Sequence, residues 1–266
     1  MLVATAVLAG LGLVSGLGLG WAARFFAVET DPRQEALLEL LPGANCGGCG
    51  CAGCNDFAGA VVSGAAPVDG CPVGGGSTAQ AVAGVMGLSV ELKERRVALI
   101  HCQGGNDLAP RRYLYNGLAS CASAAQLGGG DKSCLQGCLG LGDCQGACRF
   151  GAIAILPSGI AQILAERCTA CGKCVGACPK GIIDLVPERA RIHVLCSNTD
   201  RGPQARKACQ VACIACKKCE KAAGGGIAVT DFLARVDYAL APTDEALVEQ
   251  CPNGSIRVLD LRSKRH

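Results

Sequence analysis

Large aromatic side chains are scarce in this chain: Phe, Trp and Tyr make up 3% of 266 residues, with a single Trp. Rings therefore supply little of any buried core, and something other than aromatic packing must order the polypeptide. Nucleotide signatures are missing as well. No Gly-x-Gly-x-x-Gly run follows a strand and opens a helix, no Walker loop occurs and no nucleophile elbow is present, so flavin and nicotinamide have no home here. Strong charge bias is lacking too. A net charge of +3 without a basic run interleaved with aromatics gives no footprint for nucleic acid.

What the chain has in quantity is cysteine, 21 residues, and glycine, 38 residues. Most of the cysteines fall in runs separated by two or three residues, which lets several thiolates converge on one metal cluster; a disulfide framework does not need that pattern. An odd total also leaves one thiol without a disulfide mate, and a reducing compartment is expected. From Leu2 to Ala23 no residue is charged, enough to span a bilayer as a helix and longer than the apolar core of a cleaved signal peptide. Arg24 and Arg33 follow the span while no basic side chain precedes it, so the bulk of the chain is expected on the cytoplasmic side of the cell inner membrane. Gly12, Gly16 and Gly20 flatten one face of this helix.

Beyond the anchor, Asp31-Pro32 opens a short amphipathic helix to Leu41, a second helix is expected over Ser77 to Arg96, and Arg96 to Ile100 reads as a strand. The segments Val97-Ala-Leu-Ile-His-Cys102 and Arg191-Ile-His-Val-Leu-Cys196 resemble each other, and each precedes a cysteine-rich block, which marks an internal repeat. The fold class is therefore α+β: a single N-terminal transmembrane helix (1–27), a small four-cysteine domain (28–95), a two-cluster module (96–190) and a degenerate module with one cluster (191–266).

The first cysteine run, Cys46-x2-Cys49-x-Cys51-x2-Cys54 followed by Cys71, offers five thiols for four positions, and a zinc ion is the non-redox alternative. The run Cys168-x2-Cys171-x2-Cys174-x3-Cys178-Pro179 is the bacterial ferredoxin pattern, whose fourth cysteine serves the other cluster of a pair. Crossing over in that way predicts one set of Cys148, Cys168, Cys171 and Cys174, and a neighbouring set of Cys134, Cys138, Cys144 and Cys178. In the last block, positions 223, 241, 244 and 247 carry Ala223, Ala241, Asp244 and Leu247 where a second cluster would need thiols. Cys213, Cys216, Cys219 and Cys251 remain for one cluster, with Cys209, which aligns through the repeat with Cys134, as the alternative to Cys213. Cys51, Cys102, Cys121, Cys196 and Cys209 are left over. Buried thiols ending strands account for Cys102 and Cys196, and Cys121 has no visible company. The three histidines have no metal-ligand neighbours in sequence and read as structural or solvent-facing.

With these motifs in hand, the chain resembles the Rnf complex B subunit nearly end to end, through Ala44-Asn45-Cys46-Gly47-Gly48-Cys49-Gly50-Cys51-Ala52-Gly53-Cys54, Gly137-Cys138-Leu139-Gly140-Leu141-Gly142 and Cys216-Lys217-Lys218-Cys219-Glu220-Lys221. The resemblance implies tandem bacterial ferredoxin-like modules with four [4Fe-4S] clusters, at least three. It also implies an electron-transfer role in an ion-translocating ferredoxin:NAD oxidoreductase, with reduced ferredoxin as donor and the other membrane subunits of the complex as partners. It further selects Cys46, Cys49, Cys54 and Cys71 as the first ligand set, against Cys51. The competing expectation is an iron–sulfur electron donor that reactivates a corrinoid or other metallocofactor enzyme, a role that needs no membrane helix.

Overall fold

The computed structural model describes residues 2–26 and 31–262. Helix α1 (Leu2–Phe25) stands apart from the remainder, and its apolar stretch Val3–Phe25 has a mean hydropathy of 1.9. At 1.5 Å per residue such a helix covers about 35 Å, enough for a bilayer core of roughly 30 Å. Trp21 stacks on Phe25 at 5.5 Å between centroids, beside Arg24. Aromatic and basic side chains at one end of an apolar helix are the usual anchor at a membrane–water interface.

The next unit is a three-helix cap on a cysteine loop. Asp31 accepts a hydrogen bond from the Arg33 amide at 2.8 Å and starts α2 (Pro32–Leu40). α2 packs on α3 (Cys54–Val62) and α4 (Gly75–Met86), with Leu37, Phe57, Ala58, Val61 and Val82 as the buried core. The helix expected over 77–96 is shorter than that. Gly87, at φ +67°, closes α4 with the left-handed turn that glycine adopts without penalty, and no helix follows before residue 96.

Two modules of the same plan follow. In the first, strand β1 (Arg96–Ile100) is followed by α5 (Cys121–Gln126) and α6 (Asp143–Gly146), then by the hairpin β2 (Ile153–Ile155) and β3 (Ala161–Ile163), then by α7 (Lys173–Ala177) and β4 (Ile183–Pro187). β1 and β4, the first and last strands, pair antiparallel with Arg96 opposite Pro187 and Ile100 opposite Ile183, while β2 and β3 pair with each other. The second module repeats the order with β5 (Ile192–Val194), α8 (Gly202–Ala208), α9 (Lys218–Ala222), β6 (Ile227–Thr230), β7 (Leu233–Val236), α10 (Ala246–Glu249) and β8 (Ile256–Val258). Here β5 pairs with β8, and β6 with β7. Sheets of two short strands bury little by themselves. Their apolar faces instead surround cysteines: Val97, Ile100, Ile153, Ile182 and Ile183 share one cluster with Cys138, Cys144, Cys168 and Cys174, while Ile192, Val194, Ile227 and Ile256 share another with Cys213 and Cys219.

The modules are stitched together along β1 and β5. His101 Nδ1–H donates to the Val194 carbonyl at 2.8 Å, Ser197 donates back to the His101 carbonyl at 2.9 Å, and the Gln103 amide reaches Gly254 O at 2.6 Å. His193, fully buried, donates through Nε2 to the Ala190 carbonyl, which can only accept, so Nδ1 accepts from the Tyr238 hydroxyl at 3.0 Å.

Candidate functional site

Cysteines gather four at a time around five small cavities. Cys46, Cys49, Cys54 and Cys71 line one, under Phe57 and Leu41. Asn45, in the left-handed region at φ +44°, accepts the Cys54 amide at 2.8 Å and so closes the loop, and the Gly48 and Gly74 amides point at the Cys46 and Cys71 sulfurs, each at 3.4 Å. Cys51 lies outside this cavity.

Cys148, Cys168, Cys171 and Cys174 line the second cavity. The Ala98 amide of β1 donates to the Cys168 sulfur at 3.5 Å and the Ala152 amide to Cys148 at 3.4 Å. Cys213, Cys216, Cys219 and Cys251 line the third, in the second module. Its loop repeats the backbone of the second: Ala170 and Gly172 have φ +56° and +75°, and Ala215 and Lys217 have φ +53° and +59°. Lysine in a conformation that glycine favours shows how strongly the loop's shape is fixed.

The fourth cavity departs from the spacing argument. It gathers Cys138, Cys144 and Cys178 as expected, but its remaining cysteine is Cys121, and Cys134 is elsewhere. Asp143 explains the arrival of Cys121. Its carboxylate accepts from the Cys121 and Ala122 amides, both at 2.9 Å, and from the Ser120 hydroxyl at 3.1 Å, which moors the start of α5 beside Cys144. No repeat or spacing marks this partnership; it is made by tertiary structure alone. Cys134 joins Cys102, Cys196 and Cys209 around the fifth cavity.

Short helices join the second and fourth cavities. α7 carries Cys174 in its first turn and ends just before Cys178, and α6 carries Cys144 and ends just before Cys148, so each helix with its C-terminal end places one sulfur in each cavity. The first cavity abuts the second: a Cβ at Gly48 would lie 3.0 Å from the Cys171 carbonyl oxygen, and Arg149 donates to the Asn45 carbonyl at 3.0 Å.

Electrostatics follow the same grouping. Burial pushes the Cys144 thiol up to about 12, and the sulfurs that add to the effect are Cys138, Cys121 and Cys178. Cys174 is raised to about 11 by burial and then by Cys168, Cys171 and Cys148; Cys219 is raised to about 11 by burial and then chiefly by Cys213, Cys216 and Cys251. Four thiolates in an apolar cavity repel one another, and a cationic core between them removes the conflict. Among the described residues no three His, Cys, Asp or Glu side chains converge tightly enough to hold a single metal ion. Four sulfurs lining one cavity, with backbone amides aimed at them, suit an iron–sulfur cluster.

A chain built on such sets is an iron–sulfur protein. The comparisons agree: a family model for an Fe-S cluster matches residues 41–73, and the 4Fe-4S binding domain matches residues 161–184. The chain is 43% identical to the B subunit of the ion-translocating oxidoreductase complex of Methanosarcina acetivorans over 95% of its own length and 96% of that protein. It is 44% identical to the B subunit of the Na(+)-translocating ferredoxin:NAD(+) oxidoreductase complex of Acetobacterium woodii, over 96% of this chain and 77% of the relative. Identity is 36% to the B subunit of the proton-translocating ferredoxin:NAD(+) oxidoreductase complex of Clostridium ljungdahlii, over 94% and 89%. The chain belongs to the family of B subunits of ion-translocating, or Rnf, oxidoreductase complexes.

Proposed function

We propose that this chain is the electron-relay subunit of a membrane-bound ferredoxin:NAD oxidoreductase, taking electrons from reduced ferredoxin and handing them to the other membrane subunits of the complex. In this reading four [4Fe-4S] clusters are held by Cys46, Cys49, Cys54 and Cys71; by Cys148, Cys168, Cys171 and Cys174; by Cys121, Cys138, Cys144 and Cys178; and by Cys213, Cys216, Cys219 and Cys251. Cys121 replaces Cys134 in the third of these sets. When bound, such clusters supply one-electron carriers. The residues supply spacing and shelter: α6 and α7 tie two sets together, and Gly48 lets the N-terminal set sit against Cys171.

The observation that carries the reading is this adjacency, since a relay needs neighbouring sites and a purely structural role does not. Residues 96–190 and 191–266 are then tandem ferredoxin-like modules, the second keeping one cluster, and residues 28–95 form the four-cysteine domain. In that second module Leu247, with no exposed surface, occupies apolar core at a position where a ligand would otherwise stand. Helix α1 is the single membrane span among the described residues, with Arg24 and Arg33 keeping the remainder in the cytoplasm.

The test uses full-length protein purified anaerobically in detergent and mixed with reduced ferredoxin in a stopped-flow instrument. At least about sixteen irons per chain, with the iron–sulfur absorbance bleached by ferredoxin, is expected. Iron near eight, or centres that dithionite reduces and ferredoxin does not, would refute the relay.

A further inference from the structure

The fifth cavity, lined by Cys102, Cys134, Cys196 and Cys209, is used by none of the four sets. We infer that these four cysteines bind a fifth [4Fe-4S] cluster, at the junction of the two modules. The inference rests on the iron–sulfur reading above and adds a site to it.

The cavity is the size of its four companions. It carries the same kind of lining. The Cys138 amide donates to the Cys102 sulfur at 3.4 Å, and the Cys213 and Asn198 amides donate to Cys196 at 3.3 and 3.4 Å. Asn198, 1% exposed, turns its side-chain amide onto the Cys134 sulfur at 3.4 Å. A Cβ at Gly104 would come within 3.0 Å of the Cys209 sulfur, so the backbone closes tightly over the thiols at a glycine.

An independent observation concerns charge. Lys132 is 1% exposed, and its ammonium donates to the carbonyls of Gly104 at 3.1 Å and Gly159 at 3.0 Å. Among the described residues no carboxylate pairs with it; the buried Asp131 beside it is taken by Arg111. A buried ammonium needs an anion to offset its lost hydration. The field of Lys132 falls on the sulfurs of Cys102, Cys138 and Cys209. Four thiolates around a [4Fe-4S] core carry net negative charge, which supplies the missing counter-ion.

The site also obeys the internal repeat. Cys102 and Cys134 come from the first module, Cys196 and Cys209 occupy the matching places in the second, and the donating amides of Cys138 and Cys213 match in turn. Cys138 belongs to one neighbouring set and Cys213 to another. The fifth cluster therefore stands between the two modules and joins their centres into one row, accounting for every cysteine except Cys51.

The experiment compares the full-length chain with Cys102→Ser/Cys196→Ser and with Cys51→Ser, all reconstituted anaerobically with ferrous iron and sulfide under dithiothreitol. Iron and labile sulfide are measured, and iodoacetamide reactivity of each cysteine is mapped by mass spectrometry before and after chelation of the iron. The expected result is about twenty irons for the parent and for Cys51→Ser, about sixteen for the double variant, and four junction cysteines that react only after chelation. About sixteen irons in the parent, or a double variant with the parent's count, would overturn the fifth site while leaving the other four sets standing. Should the double variant aggregate, the parent's iron count and the chelation dependence of its labelling decide the matter.

Discussion

Replacing Lys132 by Met keeps an unbranched buried stem and removes one positive charge from beside the junction cavity. The ammonium is separated from the Cys209 sulfur by little more than the Gly104 peptide, whose carbonyl it binds at 3.1 Å. With a separation on the order of 7 Å and an effective dielectric constant of about 20, each unit of charge on the cluster interacts with the ammonium by about 2 kcal/mol. Reduction adds one negative charge, so losing Lys132 disfavours the reduced state by that amount and lowers the midpoint by roughly 90 mV for a one-electron couple. The assay is an EPR-monitored redox titration of the parent and Lys132→Met chains at matched iron content. One centre, or two if the Cys138 set also feels the charge, should move to lower potential, while the N-terminal and Cys213 sets stay in place. Midpoints that all agree within about 20 mV, or that rise, would refute the placement of this charge beside a cluster.

Other perturbations probe the scaffold. Burial holds the His193 imidazole down at about 4, against 6.5 for an unperturbed ring, so the neutral ring's contribution is complete above pH 6.5 and fades as pH falls toward 4. The loss should be about 1 kcal/mol by pH 5.5 and about 3 kcal/mol by pH 4, and the thermal midpoint of His193→Gln, compared with the parent between pH 7 and 5.5, should show a flatter acid limb. Leu247→Ala should cost about 2 to 5 kcal/mol, seen as faster hydrogen exchange in β5 and β8 with the first module unchanged. Gly48→Val brings a side chain against Cys171 and Pro72, at 3.0 and 3.1 Å from its Cβ. Electron transfer out of the N-terminal set should slow several-fold at unchanged iron content, as followed by stopped-flow reduction, and an unchanged rate would argue against that contact as the route.

Sequence spacing finds cysteines that converge close along the chain and loses those that meet only in space. That Cys168, Cys171 and Cys174 share a cavity with Cys148 is legible because a short loop must bend around one point and the crossover is part of the motif. Cys121 is not, because it is brought in by the Asp143 carboxylate from 22 residues away. Cys134 illustrates the opposite failure: its spacing to Cys138 fits a cluster run, yet it faces the other module. The repeat held the missing signal, since Cys102 with Cys196 and Cys134 with Cys209 are two equivalent pairs. Equivalent residues in two modules that pack against each other become neighbours across the junction, which spacing within one module cannot reveal. The strand at Arg96–Ile100 was readable, but its pairing with the distant Ile183–Pro187 was not, because β-branched runs name no partner. Likewise the end of α4 was set by one glycine at residue 87 and not by the loss of helical periodicity.

The amides of Cys138 and Cys213 each serve a sulfur in a different set from their own side chain. With the proposed clusters in place, a residue used twice in this way would make them mechanically dependent on one another. In that arrangement, iron lost at one position would free a thiol and slacken the peptide that steadies the next, so damage would spread along the row instead of staying where it began. The same linkage would run in the other direction during biogenesis: the first centre inserted would order the backbone for its neighbour, making maturation of the chain cooperative.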